Sequence, residues 1–118
     1  MQGRLDEALA DQDTCIRLDR APNAAHYAAR ARLLKGLKRW PQALADWQNV
    51  ADLDHTHWFG PYPHLMRAEC FLALGDLDAA EAECDLVPDD YTFPGFMGKT
   101  KGSKWEVLDA VATRRRGR

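Results

Sequence analysis

Apolar residues recur along the chain at intervals of three and four, the spacing that places a single apolar stripe on one face of a helix. Leu5, Ala8, Leu9, Gln12, Cys15 and Ile16 trace the first such stripe, and Tyr27, Ala31, Leu34 and Leu37 trace a second over Ala24 to about Leu37. Ala43, Leu44, Trp47, Val50 and Ala51 form a third, and Leu65, Ala68, Phe71, Leu72 and Leu74 a fourth that begins near Pro61. Leu77, Ala80, Cys84 and Val87 make a fifth, which Pro88 stops because proline has no amide hydrogen to continue the ladder. The punctuation agrees with this division. Pro22 and Asn23 precede the second stripe, Pro41 suits a first helical turn, and Gly75 followed by Asp76 reads as a C-terminal glycine and an N-cap. Tyr91 to Gly102, rich in Gly, Pro and polar residues, reads as a connector. Beyond it, Ser103-Lys104-Trp105-Glu106 has the form of a capping box, opening a sixth helix whose apolar face is Trp105, Leu108, Val111 and Ala112.

Three segments repeat one another. Gly3-Arg4-Leu5-Asp6-Glu7-Ala8-Leu9-Ala10-Asp11 matches Lys38-Arg39-Trp40-Pro41-Gln42-Ala43-Leu44-Ala45-Asp46, and both match Gly75-Asp76-Leu77-Asp78-Ala79-Ala80-Glu81-Ala82-Glu83. The shared alanines Ala8, Ala43 and Ala80 stand 35 and 37 residues apart, a period that signals stacked supersecondary units. With A and B naming the first and second helix of each unit, the order along the chain is B, A, B, A, B, and the short turns make neighbours antiparallel. Tyr27, Arg30-Ala31, Leu34, Ala43, Trp47 and His55 in one unit, and His64, Arg67-Ala68, Phe71, Ala80 and Cys84 in the next, occupy fixed offsets.

On these residues, roughly 3 to 87, the chain resembles the tetratricopeptide repeat family. The resemblance implies an all-α fold: a right-handed superhelical stack of antiparallel helix pairs, about two and a half repeats, with a C-terminal capping helix. The implied organisation is a repeat domain over 1–90, a connector over 91–102 and a capping helix with a basic tail over 103–118. Small residues let the paired axes approach closely, which is the physical sense of Ala31, Ala68, Ala8, Ala43 and Ala80. The chain departs from the family where Arg20 and His55 replace the usual repeat-end proline, and where His55 to Gly60 carries an insertion.

Charge adds little to this picture. The 118 residues carry a formal net charge of −2, 46% hydrophobic and 29% charged residues, the profile of a folded globular chain with no general pull toward nucleic acid or acidic membranes. No apolar run reaches the ~20 residues of a membrane span, and Asp6 and Glu7 stand where a secretory signal would be apolar, so a cytoplasmic location is expected by default. The basic tail, Arg114-Arg115-Arg116-Gly117-Arg118, reads as cations favoured at a helix C-terminus, not as a nucleic-acid contact. Cys15, Cys70 and Cys84 are widely spaced and lie on apolar stripes, so all three are expected to be small buried hydrophobes. His55, His57 and His64 have poor spacing for a metal, and no catalytic constellation stands out; neither Asp89-Asp90 nor Glu81 and Glu83 has a nucleophile in a plausible register. Gly95 to Thr100 lacks the spacing of a phosphate loop. No cofactor, no metal and no intrinsic enzyme activity are expected.

The resemblance instead implies a protein partner, a peptide or helix lying in the concave groove lined by the A helices. Carried over position by position, that groove consists of Ala25, Ala28, Ala29, Arg32 and Lys35 from the first A helix and Tyr62, Leu65, Met66, Glu69 and Ala73 from the second. Ala29 stands where carboxylate-clamping members have asparagine, so chaperone-tail specificity is not expected; the mixed apolar and basic groove suggests instead an apolar segment with an acidic residue. The chain opens on a B helix without its A partner, and Leu5, Leu9, Gln12 and Ile16 are the expected dimer edge. A piece of a longer repeat protein is the alternative to that homodimer; the alternative to the interaction module is a fragment or regulatory helical domain of a larger repeat protein or enzyme, its groove used for intramolecular or homodimer packing.

Overall fold

A computed structural model describes residues 2–20, 23–54, 59–94 and 101–117. Among them are six helices: α1 (Gln2–Leu18), α2 (Ala24–Gly36), α3 (Trp40–Leu53), α4 (Tyr62–Leu74), α5 (Leu77–Cys84) and α6 (Lys104–Arg116). The only strand pairing among the described residues is a two-residue antiparallel match of β1 (Phe93–Pro94) with β2 (Lys101–Gly102). The fold class is therefore all-α, as the stripes indicate. None of these helices is long and apolar enough to cross a membrane.

The chain divides into two compact units, Met1–Trp58 and Phe59–Arg118. In the first, α2 packs on α3 along its length and α1 packs on α2. In the second, α4 packs on α5, and α6 packs on both. The interior of the first unit is built from Ala28, Ala31, Leu34, Ala43, Trp47 and Val50, and that of the second from Leu65, Ala68, Leu72, Ala80, Cys84, Val87, Val107 and Val111.

Local chemistry fixes the helix ends. Asn23 Oδ1 accepts from the Ala25 amide at 2.9 Å, Asp76 Oδ1 from Ala79 at 3.2 Å, and Ser103 Oγ from Trp105 at 3.3 Å, each satisfying a first-turn donor that has no partner within its helix. The two hairpin turns close in the same way. The Arg39 amide donates to Leu34 O and the Asp76 amide to Phe71 O, both at 2.9 Å, around a left-handed residue at φ 59° in Lys38 and 84° in Gly75. A lysine thus fills a position that glycine fills without strain in the other hairpin.

The structure revises three sequence expectations. Cys15 is exposed, not buried, because α1 turns Leu9 inward and leaves the Cys15 face uncovered; Cys70 and Cys84 are buried as expected. Helix α5 ends at Cys84, and a tight turn with Leu86 N to Glu83 O and Val87 N to Cys84 O brings Val87 into the core before Pro88. Helix α6 packs through Lys104, Val107 and Val111, while Trp105 is 51% exposed and Leu108 and Ala112 are half-buried. The rotation follows from Lys104, whose ammonium donates to Val87 O at 2.8 Å and so carries an apolar stem into the interior.

Candidate interaction surfaces

The two hairpins share a register that extends from the backbone turn to the charged side chains. Residues 37 apart coincide in burial: Ala28 with Leu65, Ala31 with Ala68, Ala43 with Ala80, Trp47 with Cys84 and Val50 with Val87. At the same spacing, each hairpin carries an arginine on its first helix and a buried carboxylate on its second. Arg30 forks onto Asp46, Nε to Oδ2 at 2.8 Å and Nη2 to Oδ1 at 2.7 Å, and Arg67 Nη1 lies 2.7 Å from Glu83 Oε1. Each guanidinium also stacks near a ring of its own helix, Arg30 at 5.5 Å from Tyr27 and Arg67 at 5.7 Å from Phe71.

Such a pair adds little net stability, because desolvating its buried carboxylate costs nearly what the attraction returns. Hydrogen bonding to Asp46 is the main influence that raises the Arg30 pKa, with Asp13 adding to it, against the opposing effect of burial. Arg30 also reaches Asp13 on α1 at 3.1 Å, and Arg39 lies 3.6 Å from Asp6, so α1 is tied to the first hairpin by two ion pairs. An open cleft of about 400 Å³ is lined in part by this network, through Asp13, Arg30, Arg39 and Asp46. Arg30 and Asp46 both stand at repeat positions in the sequence, but their pairing is not evident from it. The available signal was an arginine before a core alanine in one helix and an acid before a core residue in the next, repeated at the same spacing.

The expected groove residues separate by exposure. On α2, Ala25 and Arg32 are exposed, Ala29 and Lys35 are half-exposed, and Ala28 is fully buried. On α4, Tyr62, Leu65, Met66 and Glu69 are all buried and only Ala73 is exposed. Ala28 and these four α4 residues therefore offer no accessible lining: they are interior residues in the present fold, which corrects their assignment to a ligand-facing wall. At the expected dimer edge, Leu9 is buried and Leu5, Gln12 and Ile16 are half-buried, since this stripe faces α2, where Leu5 closes on Gly36. A Cβ on Gly36 would lie 3.3 Å from Leu5 Cδ1, so the absence of a side chain permits that approach.

The basic tail is engaged within its own unit. Arg114 Nη1 donates to Leu72 O, and Arg115 pairs with Asp78 and Glu81, tying the end of α6 to α4 and α5. Burial raises the Cys84 thiol from its ordinary 9.0 to about 11, and it raises the Tyr91 phenol as well. His64 Nδ1 lies 3.6 Å from Glu83, whereas His55, His57 and the Gly95–Thr100 segment fall outside the described residues. No protein-family model, characterised protein or solved structure matches the chain significantly.

Proposed function

We propose that the protein is a noncatalytic interaction module of the tetratricopeptide type, a cytoplasmic scaffold or chaperone-like adaptor built as a right-handed stack of helix pairs. The observation that carries the reading is the division of α2 into two faces. Ala28, Ala31 and Leu34 fill the interior, while Ala25, Ala29 and Arg32, spaced by four and three residues, form a stripe of small side chains ending in a cation. Small residues leave a shallow track for a partner backbone, and Arg32 supplies a fork for a carboxylate. The ligand class that fits is an apolar segment carrying an acidic residue. A track this limited in area implies micromolar affinity.

Quantitative affinity capture from native extract tests this reading, comparing the wild-type chain with Ala29→Glu/Arg32→Glu. The reading expects a set of proteins enriched by the wild type and lost from the variant, with circular dichroism showing the same helix content in both. Equal recovery by both chains would remove α2 as the binding surface.

A further inference from the structure

Two helices of this chain each leave open the face that its own hairpins cover. In α3, and in α5 with the turn that follows it, Ala43, Trp47 and Val50 and their equivalents Ala80, Cys84 and Val87 are fully or almost fully buried. At the 35-residue repeat spacing, the same positions of α1 are Ala8, Gln12 and Cys15, followed by Leu18 in place of Leu53. Ala8 and Gln12 are half-buried, Cys15 is exposed and Leu18 is 72% exposed. Helix α1 is thus a second-type helix whose pairing face meets α2 only at its Gln12 edge and is open at Cys15 and Leu18.

Helix α6 shows the complementary half. Shifted by 41 residues it lies over α4, and Lys104, Val107 and Val111 fall on Pro63, Met66 and Cys70, all of them buried. Trp105, Leu108, Asp109 and Ala112 then fall on His64, Arg67, Ala68 and Phe71, the side of α4 from which His64 and Arg67 reach Glu83 of α5. In α6 that side is an open depression lined by Trp105, Glu106, Leu108, Asp109 and Ala112. Helix α6 is a first-type helix with its pairing face uncovered.

We infer that the occupant of each face is the other face on a second copy of this chain, so that α6 of one copy and α1 of the next form a hairpin-like pair and the chains join head to tail. The pattern that the chain builds internally in α2·α3 and α4·α5 supplies the template. Apolar Trp105, Leu108 and Ala112 meet Ala8, Cys15 and Leu18. Antiparallel docking brings exposed Arg116 at the end of α6 toward exposed Glu7 near the start of α1, so charge complements the apolar contact. The association is heterologous: each copy keeps a free face and the assembly can grow. It uses residues distinct from the α2 stripe and stands independently of the proposed ligand.

Sedimentation velocity on wild-type and singly blocked chains tests the inference. Ala8→Arg/Leu18→Glu blocks α1, and Leu108→Glu/Ala112→Arg blocks α6; circular dichroism checks that both remain helical. The wild type is expected to gain mass with concentration, and each blocked variant to run as one chain. Their equimolar mixture should form a dimer and nothing larger, since the only free faces are one α6 and one α1. In an independent measurement, Trp105→Cys should form an oxidised ladder of chains through Cys15, and the ladder should vanish in a Cys15→Ser background. A wild-type chain monomeric at high micromolar concentration overturns the inference, and so does a dimer that persists in the α6-blocked variant, which would mean an isologous contact through α1. If either blocked variant misfolds, the disulfide ladder decides.

Discussion

At the residue scale, the most consequential side chain is Arg30, which joins α1, α2 and α3 through Asp13 and Asp46. Arg30→Met leaves the Asp46 carboxylate buried and unpaired, and a loss of about 3 kcal/mol in urea unfolding is expected. Adding Asp46→Leu should restore most of that loss, because the double variant exchanges an ion pair for apolar packing; a double variant no better than the single would show that the pair itself carries the stability. Cys84 gives a pH signature. Its thiol titrates near 9.0 when solvated and near 11 in the fold, so its burial stabilises the neutral form fully below pH 9 and that contribution fades as pH rises toward 11. The melting temperature should therefore fall between pH 9 and 11 by more in the wild type than in Cys84→Ala, even though the variant starts lower from its cavity. Parallel pH curves for the two proteins would count against this assignment.

The helices themselves were the most legible part of the molecule, because periodicity reports which face of a helix is inward and Pro, Gly, Asn and Asp report its ends. Gly75, Asp76, Asn23 and Ser103 all perform the turn or cap chemistry that their identities imply. Periodicity reports a stripe less well when two faces of a helix carry apolar residues. Helix α6 has Trp105, Leu108 and Ala112 on one side and Val107 with Val111 on the other, and the choice between them rests on the Lys104 hydrogen bond to Val87, which no spacing reveals. The exposure of Cys15 has a related cause: its equivalents Val50 and Val87 are core, and only the packing of α1 on α2 shows Cys15 uncovered. The buried α4 residues Tyr62, Leu65, Met66 and Glu69 illustrate the limit of transferring a groove from a family pattern, since burial depends on neighbours and not on offset. The turns offer a clean test at this scale. Lys38 holds φ 59°, where Gly75 serves the other hairpin, so Lys38→Gly should stabilise the chain by up to about 1 kcal/mol in chemical unfolding. Ala31→Leu or Ala68→Leu, by contrast, should cost about 1–3 kcal/mol each by forcing apart a hairpin whose interior has no spare volume.

At the scale of the whole molecule, each of the two compact units contains a copy of one hairpin, with equivalent turns, Ala31 and Ala43 matched by Ala68 and Ala80, and an arginine–carboxylate pair. In the function proposed above, the open stripe on α2 is the surface such hairpins would present to a partner. A photo-crosslinking amino acid placed at Ala25 in cells, with the same residue at exposed Ala82 on α5 as the comparison, measures the central claim most directly. The account predicts discrete protein adducts from position 25 that are absent from position 82 and are lost when Arg32→Glu is added. Adducts common to both positions, or unaffected by the loss of Arg32, would contradict it.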